Sequence, residues 1–85
     1  MEVELLAYSL LEYLRNNYFD NLHERYKLDD VSELAGHEIL ELIGRKRGCV
    51  ISGGEIDTER ASHILLDEFR GCKIGRITLE KPEDN

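Results

Sequence analysis

Seven cationic side chains between positions 45 and 76 are the residues whose types and spacing best fit a chemical role. They are Arg45, Lys46, Arg47, Arg60, Arg70, Lys73 and Arg76, and five glycines are interleaved with them. Guanidinium and ammonium groups bind phosphate oxygens, and glycine lets backbone N–H groups approach the same anion. These residues therefore predict a surface that binds phosphate groups, to which Ser52 and Gly53 contribute from a turn.

The alternative is that Arg45, Lys46 and Arg47 only stabilise the end of a helix. Cations in a last helical turn interact favourably with the helix dipole, and Gly48 after them suits a C-cap. The sequence is compatible with both interpretations. The turn at 52–55 lacks the G-x-x-x-x-G-K-[ST] pattern of a nucleotide-binding loop, so we interpret it as an interhelical turn.

No group of residues has the spacing of a catalytic or metal site. His23, His37 and His63 are scattered, and neither C-x-x-C nor H-x-x-x-H occurs in the chain. Asp57 and Glu59 fit a helix N-cap and a first helical turn, so they need no catalytic explanation. We therefore predict no catalytic residue, no metal and no cofactor.

The formal net charge of −7 argues against a polyanionic partner until its distribution is considered. Residues 1–44 contain ten acidic and three basic side chains, whereas residues 45–76 contain five acidic and seven basic ones. Local potential, rather than net charge, decides where a polyanion docks. The second half can therefore carry a positive surface while the first half is acidic.

Apolar periodicity predicts the elements that must position these cations. Apolar residues from Val3 to Leu14 recur at helical spacing, which predicts a helix that ends at Asn16-Asn17. Asp20 is the predicted N-cap of a short second helix. That second helix is predicted to end at Tyr26 and to be followed by one helical turn at 31–35. Two further helices are predicted from His37 to Lys46 and from Thr58 to Arg70. Residues 72–79 are predicted to be extended.

The predicted fold class is therefore all-α, a small bundle of four to five helices with an extended C-terminal segment. Residues 1–80 would form one domain and residues 81–85 a flexible tail. No apolar run approaches the roughly 20 residues that cross a bilayer, and the first residues lack the positive charge of a signal peptide. We predict a cytoplasmic monomer without membrane contact, in which Cys49 and Cys72 stay reduced.

Two sequence blocks carry a resemblance to a known family, and shorter matches extend it over nearly the whole chain. The blocks are I-G-R-K-R-G-C at 43–49 with S-G-G-E-I-D at 52–57, and F-R-x-x-K-I-G-R-I-T-L-E at 69–80. Together they resemble the end of the YlqF/RbgA ribosome-biogenesis GTPases. The chain departs from the family at Phe19, where Pro is frequent, and at Gly71-Cys72, where Ser-Gly is frequent.

The resemblance implies a function. That family joins a circularly permuted GTPase domain to a C-terminal helical domain similar to ANTAR-type RNA-binding modules, and it acts in late maturation of the large ribosomal subunit. This chain would then supply docking to large-subunit ribosomal RNA in the pre-50S particle and contact the GTPase domain. Walker A, Asp-x-x-Gly and Asn-Lys-x-Asp motifs are absent, so we expect the chain itself to have no GTPase activity.

Two other functions stay open from the sequence. The acidic helices could bind a basic ribosomal protein, in which case the cations would only stabilise the helix ends. An ANTAR-like output domain would instead bind a small isolated RNA hairpin.

Overall fold

A leucine-rich face on the first helix organises the packing of the chain. The computed structural model describes residues 2–75. Its helices are α1 (Val3–Asn17), α2 (Phe19–Tyr26), α3 (Gly36–Lys46) and α4 (Thr58–Arg70). Helix α1 packs against the other three, and α3 packs against α4. The predicted all-α bundle is thus confirmed, with four helices in the described part of the chain.

The core lies between α1, α3 and α4 and is closed by α2. Its fully buried side chains include Leu11, Leu14, Leu22, Leu28, Ile39, Leu40, Ile43 and Leu65. Each such side chain contributes about 1.5–3 kcal/mol relative to remaining in water. The loop after α2 also belongs to the core through Leu28 and Val31.

Most predicted helix bounds are confirmed, and two local helix predictions are wrong. Helix α4 has the predicted ends, and the Asp57 side chain accepts a 3.1 Å hydrogen bond from the Arg60 N–H as its N-cap. Asp20 lies in the first turn of α2 and does not cap it, because the helix begins one residue earlier. Residues 31–35 do not form the predicted helical turn. They contain a tighter turn, in which the Leu34 N–H donates to the Val31 carbonyl.

A tight turn at 48–57, hereafter the α3–α4 turn, brings the end of α3 to the start of α4. Val50 and Ile56 form an isolated antiparallel bridge, and the Asp57 N–H donates to the Cys49 carbonyl at 2.7 Å. Gly53 and Gly54 have φ values of 92° and 84°, which residues other than glycine rarely adopt. Cys49 is buried under this turn.

The chain after α4 folds back along α2. The Asn21 side chain donates to the Ile74 carbonyl at 3.2 Å, and Ile74 is buried. Only residues 72–75 of the predicted extended segment are described: Cys72 lies in a turn with a φ of 59° and residues 73–74 form a bend, so the prediction of an extended conformation is wrong there. Residues 76–79 of that segment and the predicted tail at 81–85 lie outside the described residues. None of the described helices has the length and apolarity to span a bilayer.

Candidate nucleic-acid interface

Cations from three separate elements converge at one end of the bundle. Two adjoining open concavities share Arg25 and Lys27 in their walls. Lys73 completes the first concavity, and Lys46 and Arg47 complete the second. We call these five residues the basic surface.

The ends of α2 and α3 explain why the cations converge. Arg25 lies in the last turn of α2 and Lys27 is its C-cap, with a left-handed φ of 55°. Lys46 and Arg47 hold the equivalent positions at the end of α3. Cations at these positions interact favourably with the helix dipoles, so the two interpretations of the sequence are compatible: the same residues stabilise helix ends and form the basic surface.

The Glu68 carboxylate lies under this surface and contacts two of its arginines. Glu68 of α4 accepts a 2.6 Å hydrogen bond from the Tyr26 hydroxyl. Its Oε2 lies 3.3 Å from Arg25 Nη2, and its Oε1 lies 3.2 Å from Arg47 Nη2. The Arg47 guanidinium also stacks over the Tyr26 ring, 5.2 Å from the ring centroid.

The environment shifts the proton affinities of this network. Burial opposes ionisation of Glu68, but hydrogen bonds from Tyr26 and Arg25 and the charge of Arg47 outweigh it, so the pKa of Glu68 is lowered. Burial and the bond to Glu68 together raise the pKa of the Tyr26 hydroxyl. At neutral pH the network therefore contains a carboxylate, a neutral phenol and two guanidinium cations.

The shape and lining of the two concavities favour an extended anion over a small apolar molecule. Their volumes are about 350 and 190 Å³, at or below the low end for small-molecule pockets, and charged side chains dominate their walls. Among residues 2–75, Glu24 and Glu68 are the carboxylates that line the concavities or contact their cations, so the five cations leave an excess of positive charge in this part of the chain. Several phosphate groups could therefore bind across both concavities.

The structure separates Arg45 from its neighbours Lys46 and Arg47. Successive residues of an α-helix are rotated by about 100°, so three consecutive cations cannot share one face. Arg45 lines another concavity beside the α3–α4 turn, together with Glu41 and Glu55. Those carboxylates oppose anion binding there. Ser52 and Gly53 are exposed on the same turn.

Two further predicted cations lie away from the basic surface. Arg60 is exposed on the first turn of α4, where the Asp57 carboxylate already occupies the helix end. Arg70 pairs with Asp67 at 2.6 Å and lines an apolar groove with Leu6, Leu10, Leu66 and Phe69. Arg76 lies outside the described residues.

Sequence reasoning missed Arg25 and Lys27 because both belong to the acidic half of the chain. The signal was present, since they end a predicted helix in the same way as Lys46 and Arg47 do. Within residues 2–75, no three His, Cys, Asp or Glu side chains are grouped as metal ligands would be.

The chain is similar to proteins named ribosome biogenesis GTPase A. It is 36% identical to the Bacillus cereus protein over 84 residues, which are 99% of this chain and 28% of that protein. It is 41% identical to the Bacillus pumilus protein over 86% of this chain and 26% of the relative, and 31% identical to the Priestia megaterium protein over 99% and 29%. The chain thus spans less than a third of the length of these relatives. No protein-family model matches it.

Proposed function

We propose that this chain, which is related to one segment of the ribosome biogenesis GTPase A proteins, binds large-subunit ribosomal RNA through its basic surface. The observation that carries the proposal is the convergence of Arg25, Lys27, Lys46, Arg47 and Lys73 on two adjoining concavities. The name of the relatives indicates the process, ribosome biogenesis, and the basic surface indicates the chemistry, phosphate binding.

The resemblance of the sequence extends the proposal to the intact protein. The chain would be a C-terminal, ANTAR-like helical domain that acts in the cytoplasm and holds a GTPase domain against the pre-50S particle. It would not bind or hydrolyse GTP itself. Coupling between hydrolysis and release would then occur through the contact between this domain and the GTPase domain.

The mechanism is positional rather than sequence-specific. Cations that contact phosphates fix the register and orientation of a protein on RNA, whereas sequence is read from base edges. The basic surface consists of long cationic side chains around open concavities, which suits the backbone of folded RNA. Binding should therefore depend on the shape of the RNA and on salt.

Charge reversal within and outside the basic surface tests the proposal. Lys46→Glu with Lys73→Glu should weaken binding to transcribed large-subunit ribosomal RNA and to immature subunits by about 100-fold, because two attractive contacts become repulsive. Arg45→Glu with Arg70→Glu is the matched control, since it changes the net charge equally away from that surface. It should alter affinity only a few-fold.

Three outcomes of this experiment would contradict the proposal. Equal losses in the two double variants would show that only net charge matters. Unchanged binding by the Lys46 and Lys73 variant would favour the alternative of a module that contacts a basic ribosomal protein. Tighter binding to a small isolated hairpin than to the particle would favour the output-domain alternative.

A further inference from the structure

Glu68 contacts both arginines of the basic surface, although its negative charge would repel a phosphate group bound there. Its side chain is 15% exposed, against 31% and 33% for its partners Arg25 and Arg47. The two arginines come from different elements, the end of α2 and the end of α3. Glu68 on α4 therefore links them from below the surface.

These contacts reduce the freedom of both guanidinium groups before any ligand arrives. An arginine side chain has several rotatable bonds, and it loses conformational entropy when binding immobilises it. Arg47 is fixed on one side by Glu68 and below by the Tyr26 ring. A guanidinium has five N–H donors, so both arginines keep donors for a phosphate after Glu68 has used its share.

The Tyr26 hydroxyl fixes the carboxylate in turn. It donates to the same oxygen, Oε1, that contacts Arg47 Nη2. Burial of the Tyr26 ring holds this hydroxyl in place. Tyr26, which is anchored in the core, thus holds Glu68 in place, and Glu68 in turn holds the two guanidinium groups.

On the basis of the proposed function, we infer that Glu68 is a positioning residue for RNA binding. This acidic side chain strengthens the binding of a polyanion, because it holds Arg25 and Arg47 where phosphate groups can bind both. Simple electrostatics predicts the opposite sign, since removal of a negative charge near a phosphate site should tighten binding.

The opposite signs make the inference testable with two neighbouring variants. Glu68→Gln and Asp67→Asn each remove one negative charge from adjacent positions of α4, but Asp67 is exposed and pairs with Arg70. Glu68→Gln should weaken binding to transcribed large-subunit ribosomal RNA by about tenfold, or 1.4 kcal/mol. Asp67→Asn should leave the affinity unchanged or raise it slightly.

Two further measurements separate positioning from general damage to the fold. Tyr26→Phe keeps the buried ring and removes the hydrogen bond to Glu68, so it should weaken binding in the same direction but less. In an Arg47→Ala background, Glu68→Gln should cost clearly less affinity than in the wild type. All variants are compared at a temperature where circular dichroism shows them folded.

The results that overturn this inference differ from those that overturn the proposed function. Wild-type or tighter binding by Glu68→Gln contradicts the positioning role, as does an equal loss in the Arg47→Ala background. Absence of binding by the wild-type chain, or no loss in the Lys46 and Lys73 double variant, contradicts the proposed function itself.

Discussion

Gly36 lies so close to Tyr8 that a Cβ atom on the glycine would be 2.5 Å from the Tyr8 carbonyl oxygen. Gly36 is the first residue of α3 and Tyr8 lies in the middle of α1, so the two helices meet backbone against backbone. The Gly36 N–H also donates to the Glu12 side chain at 3.1 Å. Any side chain at position 36 must push α3 away from α1.

We therefore expect Gly36→Ala to lower the free energy of unfolding by about 1–3 kcal/mol, the usual cost of overpacking. Urea denaturation followed by circular dichroism measures this change. Glu41→Ala, at an exposed position of the same helix, should stay within about 0.5 kcal/mol of the wild type. Wild-type stability for Gly36→Ala would contradict a close contact between the backbones of α1 and α3.

Loss of the α4 cap should also destabilise the fold. Asp57→Ala removes the acceptor for the Arg60 N–H and should lower the free energy of unfolding by about 1 kcal/mol. Asp57→Asn should retain most of the stability, because an amide oxygen also caps a helix. Glu55→Ala removes an equal charge from the neighbouring turn without touching a cap, so an equal loss there would assign the effect to charge alone.

The Glu68 network should make stability depend on acid pH. Burial raises the pKa of Glu68 in the folded state, but the hydrogen bonds from Tyr26 and Arg25 and the charge of Arg47 outweigh burial, so the net effect is a lowered pKa. Its contribution is therefore complete above the ordinary glutamate value of 4.5 and is lost as pH falls through the folded value. Glu68→Gln should be about 1–3 kcal/mol less stable than wild type at pH 7, and the difference should shrink in acid. A difference that is independent of pH would exclude ionised Glu68 as the cause.

The two cysteines should differ in reactivity towards a thiol reagent. Cys72 is exposed and Cys49 is completely buried, and access governs the rate of modification. One thiol per chain should react quickly in the native state and the second only on unfolding. Cys72→Ser should remove the fast phase; a fast phase that persists in this variant would place Cys49 at the surface.

The salt dependence of RNA binding should report the number of cations in contact. Each phosphate contact contributes about −0.7 to −0.9 to the slope of log K against log salt concentration. Lys27→Ala should therefore reduce the magnitude of the slope by about 0.7–0.9. Arg60→Ala, outside the basic surface, should leave it unchanged, and equal effects of the two variants would show that the surface is not the contact.

The helices were predictable because their signals are local. Leucine spacing identifies α1, and Asp57 with Gly71 marks both ends of α4. Asp20 misled the prediction because aspartate is a common N-cap, yet α2 begins at Phe19 and Tyr18, the one residue between α1 and α2, holds the N-cap position. The loop after α2 was not predictable in detail, since burial of Val31 depends on contacts with distant residues.

The candidate site was only partly predictable, because it depends on the direction of side chains. Arg45, Lys46 and Arg47 are consecutive in the sequence and were therefore predicted as one cluster. The helical rotation between successive residues places Arg45 on another face. Arg25 was not predicted as a site residue because the surrounding sequence is acidic. Glu68 gives no signal by itself, because its role depends on the meeting of α2, α3 and α4.

Two side-chain hydrogen bonds join distant parts of the chain, one at the first residue of α4 and one in the segment that follows α4. Thr58 Oγ1 donates to Glu4 at 2.5 Å across 54 positions, and Asn21 bonds the Ile74 carbonyl across 53. Such bonds form only after a long loop has closed, and detachment of α4 together with the segment that follows it would break both. The described part of the chain should accordingly fold and unfold as one cooperative unit, in which α4 cannot detach without breaking contacts to α1 and α2.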